Sequence, residues 1–218
     1  MAAPKGKAAP EGTPGTPAPD KRYLALGDSY TIGEGVEPAA RWPVQLARAL
    51  REAGIGLRDP RIIATTGWTT DELSSAIDEA EPLGHWDLVT LAIGVNNQYR
   101  NRSLVEYRTE FRELLERAIG FARERADRVM VLSIPDWGVT PFAKEEATDR
   151  GDIGAEIDAF NAIAREVCGE HGVAFVDITP ASRTDATQVA EDGLHPSAPM
   201  YTTWTSIALP VARGLLSR

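Results

Sequence analysis

The chain has 218 residues, a length that suits one domain with a substantial core. Its formal net charge of −9 argues against a nucleic-acid-binding surface, which needs clustered Lys and Arg, and against docking on an anionic membrane. With 43% hydrophobic and 25% charged residues, the composition is typical of a soluble globular protein.

The N-terminal segment 1–21 is rich in Pro, Ala and Gly and carries almost no large apolar side chain. Such a segment cannot bury enough apolar surface to offset the entropy of ordering, so we expect a flexible tail followed by one domain over 22–218. The tail lacks the apolar stretch of a signal peptide, and no segment is apolar enough for stable membrane insertion. We therefore expect a cytoplasmic protein.

Strand and helix patterns alternate along the rest of the chain. Short apolar runs predict β-strands, and apolar residues at three- and four-residue spacing predict helices. In chain order the predicted elements are a strand over 22–27, a helix over 41–54, a strand over 61–65, a helix that begins after Thr69, a strand over 87–94, a helix that begins after Ser103, a strand over 128–135, a helix over 152–170, a strand over 173–178 and a helix over 198–216.

Two of these helices begin with capping boxes, Thr69 with Glu72 and Ser103 with Glu106. Five strands that alternate with helices predict an α/β fold with a five-stranded parallel sheet covered on both faces. In such sheets ligands bind at the carboxyl ends of the strands, so polar residues that follow strands are the candidate functional residues. The helix after Ser103 is expected to bury one apolar stripe, made of Leu104, Phe111, Leu114, Leu115, Ala118 and Ala122.

The single cysteine, Cys168, excludes an intramolecular disulfide and lies in register with apolar helix positions, which predicts a buried structural thiol. The three histidines, His85, His171 and His195, are isolated, and none has a neighbouring Cys or His at the spacing of metal ligands. We therefore expect no metal site.

Ser29 follows the first predicted strand in the stretch GDSYTIGEG, where a serine is a candidate nucleophile. A serine nucleophile needs a general base within hydrogen-bonding reach and donors for an oxyanion. His85 and His171 precede strands and belong to the opposite edge of the sheet, whereas His195 follows the fifth strand. Asp192, three residues before His195, can hold the tautomer of that imidazole. The alternative is an ordinary turn beside a helix cap.

Oxyanion donors are predicted at two further strand ends. Gly67 lets a backbone N–H approach a substrate closely, and Asn96 offers a side-chain amide. With the N–H of Ser29 these groups make three donors. Turn geometry alone explains either Gly67 or Asn96 when each is taken by itself.

Four sequence blocks carry a resemblance to a known family. GDSYTIGEG, GW at 67–68, GVNN at 94–97 and DGLHP at 192–196 resemble, in order, the four blocks of the SGNH (GDSL-like) hydrolase family. The resemblance runs from about residue 22 to the C-terminus. It implies a flavodoxin-like three-layer α/β/α sandwich and an esterase that needs no cofactor. By position it implies Ser29 as nucleophile, Asp192 and His195 as its acid and base partners, and an oxyanion hole made by Ser29, Gly67 and Asn96.

Two positions depart from the family pattern. Tyr30 stands where many members have Leu, which we expect to alter packing or the pocket lip more than the chemistry. Asn97 stands where the third block usually ends in Asp, whose carboxylate makes structural hydrogen bonds. The second departure therefore bears on how Asn96 is held.

Substrate contacts are predicted from the aromatic residues that follow strands. Trp68, Tyr99 and Trp137, together with Phe142, either line an apolar acyl site or cap the core. The predicted reaction is hydrolysis of small acyl esters or lysophospholipid-like esters through a Ser-His-Asp triad and an acyl-enzyme. The partner is thus a small-molecule acyl ester.

Three alternatives to an esterase use the same stretch of chain. An acyltransferase needs the same residues, and a non-catalytic module on the same fold would bind without turnover. A phosphate-binding loop is disfavoured because the stretch lacks the P-loop Lys, and Asp28 and Glu34 would repel phosphate.

Overall fold

The computed structural model describes residues 20–146 and 152–217. Five strands form one parallel sheet in the order β2-β1-β3-β4-β5. The predicted tail lies outside the described residues as far as residue 19, and Lys21 already pairs with Leu57 beside the sheet. The strands are β1 (Tyr23–Gly27), β2 (Arg61–Ala64), β3 (Leu88–Ala92), β4 (Val129–Leu132) and β5 (Ala174–Val176).

Helices follow the strands as the periodicity predicts, with four short additions, α1, α4, α6 and α8, in the connections that follow strands. The α-helices are α1 (Ser29–Ile32), α2 (Trp42–Glu52), α3 (Thr70–Ala80), α4 (Val95–Tyr99), α5 (Leu104–Phe121), α6 (Pro141–Glu146), α7 (Ile153–His171), α8 (Thr179–Thr184) and α9 (Ala198–Leu216). Helix α2 packs against α9, and α5 packs against both α3 and α7. The predicted flavodoxin-like α/β/α sandwich with a five-stranded parallel sheet is confirmed.

The strand order explains where a site can form. Strand β1 pairs with β2 on one side and with β3 on the other, so the order of connections reverses between β1 and β3. Both central strands are buried along their whole length, as expected for strands covered by helices on both faces. The crevice outside the carboxyl ends of such strands is where open α/β sheets bind ligands.

Strand β3 ends two residues before its predicted end because Gly94 turns the chain into α4. Gly94 has a φ of +126°, and a Cβ there would lie 2.7 Å from the ring of Tyr107. Only a residue without a side chain fits this conformation and this close approach. The packing of Tyr107 on Gly94 thus fixes where α4 begins.

Two details of the predicted α5 are wrong. Leu104 is 39% exposed, and the buried stripe begins instead at the fully buried Tyr107, because the first turn of the helix lies in solvent. Ser103 accepts from the Glu106 N–H at 3.1 Å, but the Glu106 carboxylate pairs with Arg102 and does not complete the box. The Thr69–Glu72 capping box is complete.

The predicted buried thiol is confirmed. Cys168 on α7 is 1% exposed, and burial raises the pKa of its thiol to about 12. A protonated, enclosed thiol is a packing group and not a nucleophile.

Candidate active site

The residues predicted to carry chemistry lie together at the carboxyl edge of the sheet. Ser29 follows β1, Gly67 follows β2, Asn96 follows β3 and His195 follows β5, and all four line one cavity of about 180 Å³. The cavity lies at the reversal in strand order. Residues from opposite ends of the domain are therefore neighbours in the fold.

The Gly-Asp-Ser stretch is a tight connection from β1 into α1. A Cβ on Gly27 would collide with Thr31 and with the carbonyl of Ala92, so only glycine fits here. Asp28 caps α1, since its Oδ1 accepts the Tyr30 N–H at 3.0 Å. Burial raises the pKa of the Asp28 carboxyl to about 7. Ser29 is the first residue of α1, where its own N–H has no intrahelical acceptor.

The Asp192–His195 pair has the geometry expected of an oriented imidazole. The Nδ1 of His195 lies 2.6 Å from Oδ2 of Asp192, while Oδ1 accepts the N–H groups of Leu194 at 2.9 Å and His195 at 3.0 Å. Partial burial opposes ionisation, but the hydrogen bonds from His195 and from the two N–H groups prevail and lower the pKa of the Asp192 carboxyl. With Nδ1–H donated to Asp192, Nε2 is the nitrogen left to accept a proton.

In the part of the chain that the structure describes, the Ser29 hydroxyl makes no hydrogen bond with His195, although both residues line the cavity. Such bonds are often long in free enzymes and tighten when substrate binds. The other two histidines are elsewhere. His171 ends α7 with Nδ1 placed 2.9 Å from the Val167 carbonyl, and His85 lies before β3 at the opposite edge.

The two predicted oxyanion donors outside Ser29 are held by contacts of their own. Gly67 has a φ of +87°, and its carbonyl accepts from Nη2 of Arg100 at 2.7 Å. The Asn96 amide donates one N–H to the Trp68 carbonyl at 2.9 Å, which leaves its second N–H for another acceptor. Arg100, which follows α4, thus supports the Gly67 loop.

Asn97 takes over the structural role of the carboxylate that the family usually has there. It is fully buried, its Oδ1 accepts the Thr70 N–H at 3.1 Å, and its Nδ2 donates to the Thr70 hydroxyl at 2.6 Å. The Thr70 hydroxyl in turn donates to Glu110. Each group in this series of hydrogen bonds has a partner. The departure at position 97 therefore leaves α4, the helix that carries Asn96, anchored.

We expect Asn97→Asp to lower the free energy of unfolding by about 1–3 kcal/mol at pH 7. The introduced carboxylate could only accept, so the Thr70 hydroxyl could not donate to it and to Glu110 at once, and the two carboxylates would repel. Protonation of the introduced group in the folded state relieves this conflict, so the loss should shrink from pH 7 to pH 4. Thermal and urea unfolding at both pH values measure it.

The exposed Asn101→Asp serves as the matched control for this substitution and should change stability little at either pH. An Asn97→Asp protein with the stability of the parent at pH 7 would contradict the bonding scheme.

Tyr30, the other departure, packs directly against the candidate base. Its ring centroid lies 5.2 Å from that of His195 and 6.1 Å from that of Trp204. Burial raises the pKa of the Tyr30 hydroxyl, which therefore stays neutral. The residue lines the cavity, so its place is at the pocket wall as expected.

Of the aromatic residues predicted to contact substrate, Tyr99 and Trp137 line the cavity, as does Phe142. Trp68 is not among the residues that line it; this indole packs on the core, and its carbonyl holds Asn96. The apolar lining also includes Val95 and Leu194, which no sequence signal identified.

Two further properties concern the described residues as a whole. No group of three or more His, Cys, Asp or Glu among them could hold a metal ion. No helix in the same ranges has the length and apolar character needed to cross a membrane.

Comparison with solved structures shows the same fold. The chain is similar to TesA (TM-score 0.71, 16% identity, covering 90% of this chain and 100% of that one). It is also similar to LAE5, an alpha/beta hydrolase enzyme from the metagenome of Lake Arreo, Spain (TM-score 0.68, 21% identity, covering 91% of this chain and 97% of that one). A third similar structure is that of a variant of Axe2, an acetyl xylan esterase from Geobacillus stearothermophilus (TM-score 0.68, 18% identity, covering 89% of this chain and 95% of that one). None of the curated proteins matches the chain.

A parallel α/β sandwich that gathers a serine, an imidazole–carboxylate pair and amide donors around one cavity defines the class of α/β hydrolytic enzymes. Within this class the chain belongs to the GDSL-like lipase/acylhydrolase family, whose family model matches residues 25–202. It is an ester-hydrolysing enzyme of the GDSL type.

Proposed function

We propose that this enzyme is a serine esterase that forms an acyl-enzyme on Ser29. The observation that supports this most directly is the Asp192–His195 hydrogen bond, because it orients an imidazole at the cavity that Ser29 also lines. His195 is the general base and acid, and Asp192 fixes its tautomer. The roles predicted from the sequence thus remain our assignment.

The reaction has two halves. His195 Nε2 takes the Ser29 hydroxyl proton while Oγ attacks the ester carbonyl, and the oxyanion accepts hydrogen bonds from Asn96 and the N–H groups of Ser29 and Gly67. Collapse breaks the ester C–O bond, and the imidazolium gives its proton to the leaving alcohol. Water then attacks the acyl-enzyme with its proton taken by His195, which releases the acid and restores Ser29.

The lining of the cavity supports a small acyl ester as substrate. Its walls are largely aromatic and aliphatic, with Val95, Tyr99, Trp137, Phe142 and Leu194 among them. Apolar walls with a few convergent polar groups suit an uncharged acyl group. Lysophospholipid-like esters, the other predicted class, would place a long chain in the same space.

Labelling with a fluorophosphonate and turnover of p-nitrophenyl esters test the proposal. We expect the folded enzyme to be labelled at Ser29, as located by peptide mass spectrometry, and to release p-nitrophenol from short acyl esters. Heat-denatured protein, in which the site is dispersed, should not be labelled. A folded protein that shows neither label nor turnover would contradict the proposal.

The acyltransferase alternative is decided by the products formed when an alcohol is added to the assay. With an esterase, free acid remains the main product; with an acyltransferase, the new ester dominates. The predicted cytoplasmic location also remains a proposal, and a single, buried cysteine agrees with a reducing compartment. Recovery of the protein only from membrane or secreted fractions would contradict it.

A further inference from the structure

Trp137 forms one wall of the cavity and has no role in the proton transfers. It begins a 3₁₀ turn (Trp137–Val139) after β4 and is only 2% exposed. Its ring packs edge-on against Tyr99, with centroids 5.3 Å apart, and against Phe142, at 6.3 Å. An aromatic wall of three rings therefore bounds the cavity on the side away from β2.

The indole is held in place by a buried amide. Nε1 of Trp137 donates to Oε1 of Gln98 at 2.7 Å, and Nε2 of Gln98 donates to Oε2 of Glu156 at 2.6 Å. A carboxylate only accepts, so Glu156 fixes the amide with its oxygen toward the indole. Gln98 is 2% exposed, and its side chain makes one hydrogen bond to the cavity wall. A polar side chain buried this deeply to make that bond indicates that Gln98 positions the Trp137 indole.

The backbone that carries the indole is held as well. Oδ1 of the buried Asp136 accepts the Gly138 N–H at 2.9 Å, and Oδ2 accepts from Nε of Arg183 at 2.8 Å. A Cβ on Gly138 would lie 2.8 Å from Ile153, so α7 closes against this turn. Trp137 is therefore a fixed wall and cannot swing aside to admit a longer group.

The volume of the cavity, part of which the reacting ester group at Ser29 occupies, gives the scale of the acyl group that it can enclose. A cavity of about 150 Å³ lined by apolar side chains binds benzene, so a space of about 180 Å³ holds roughly six or seven carbon atoms. We propose that Trp137 closes the acyl pocket and limits the acyl chain to about six carbons, with Gln98 as the residue that positions the indole. This inference rests on the proposed esterase function.

Chain-length profiles test it, with kcat/KM measured for p-nitrophenyl acetate, butyrate, hexanoate and octanoate. The wild type should lose activity beyond hexanoate. Trp137→Ala should raise the octanoate-to-butyrate ratio on the order of tenfold or more, because each added methylene in an apolar pocket is worth about that factor. Gln98→Met, which removes both hydrogen bonds at similar volume, should raise the ratio less.

A leaving-group series separates the acyl pocket from the alcohol side. Methyl, phenyl and naphthyl acetates should keep their relative rates in Trp137→Ala. Trp86→Ala is the matched control, since it also removes a buried indole but lies before β3 at the opposite edge of the sheet. Its octanoate-to-butyrate ratio should equal that of the wild type.

The outcomes are distinguishable. A wild type that turns over esters, with an octanoate-to-butyrate ratio unchanged in Trp137→Ala, or with the change seen only in the leaving-group series, overturns this inference and leaves the esterase intact. A folded wild type without turnover or labelling overturns both. If Trp137→Ala does not fold, Trp137→Leu and Gln98→Met decide the matter: a raised ratio supports the inference, and an unchanged ratio in both overturns it.

Discussion

Replacing Ser29 with Ala is expected to lower kcat for p-nitrophenyl butyrate on the order of 10⁴-fold or more. The variant keeps the oxyanion donors and the apolar wall but lacks the oxygen that becomes acylated, so only attack by water remains. The buried Ser29 side chain makes no hydrogen bond within the described residues, and Ala removes a single atom there, so the fold should persist. Initial rates across substrate concentrations, with the melting temperature measured in parallel, check this prediction.

Ser75→Ala is the control for the loss of a serine hydroxyl. Ser75 is exposed on α3, and its hydroxyl donates to the Asp71 carbonyl at 3.0 Å, outside the cavity. Its kcat should match that of the parent. If Ser29→Ala retains more than a tenth of the parental kcat at an unchanged melting temperature, Ser29 is not the nucleophile.

The fold could be predicted because its signals are local. Each strand is a short apolar run, each main helix repeats at three and four residues, and the alternation of the two permits few topologies. The error at Leu104 has a physical cause: the spacing continues into the first turn, but burial depends on where the helix meets its neighbours. The periodicity of the sequence does not show where along the helix that contact begins.

The polar members of the candidate site could be predicted because each follows a strand of a parallel sheet. The supports of the site could not. Gln98 and Glu156 are 58 residues apart, Trp137 and Gln98 are 39 apart, and Arg100 lies 33 residues from Gly67. None of these pairs lies on one element or at a motif spacing, so their contact exists only once α4 and α7 are packed.

Position 97 shows how the two kinds of information combine. The sequence identifies Asn97 as a departure from the usual Asp, but not what compensates for it. In the structure the Thr70 hydroxyl donates its proton to Glu110. The side chain at position 97 must therefore donate to that hydroxyl, which a second carboxylate cannot do. The side-chain amide of Asn97 supplies this donor.

Asp192→Asn is expected to lower kcat on the order of 10³–10⁴-fold while leaving the fold in place. The amide oxygen can still accept the N–H groups of Leu194 and His195, but the NH₂ group would then face Nδ1 of His195. Because that group donates, it favours the tautomer with the proton on Nε2, and such an imidazole cannot take the Ser29 proton.

The pH profile gives this prediction a second readout. Since its pKa is lowered in the parent, the Asp192 carboxyl stays ionised through the assay range and keeps its hydrogen bond to His195 there. The advantage of the parent over Asp192→Asn should therefore persist as the pH falls, and shrink only where the Asp192 carboxyl is protonated, below the ordinary range of an aspartate. Asp185→Asn, which changes a half-buried aspartate in the same connection that accepts hydrogen bonds from Thr187 and Gln188, should alter neither rate nor profile. An Asp192→Asn variant that keeps the parental kcat would mean that Asp192 supports the loop without acting on His195.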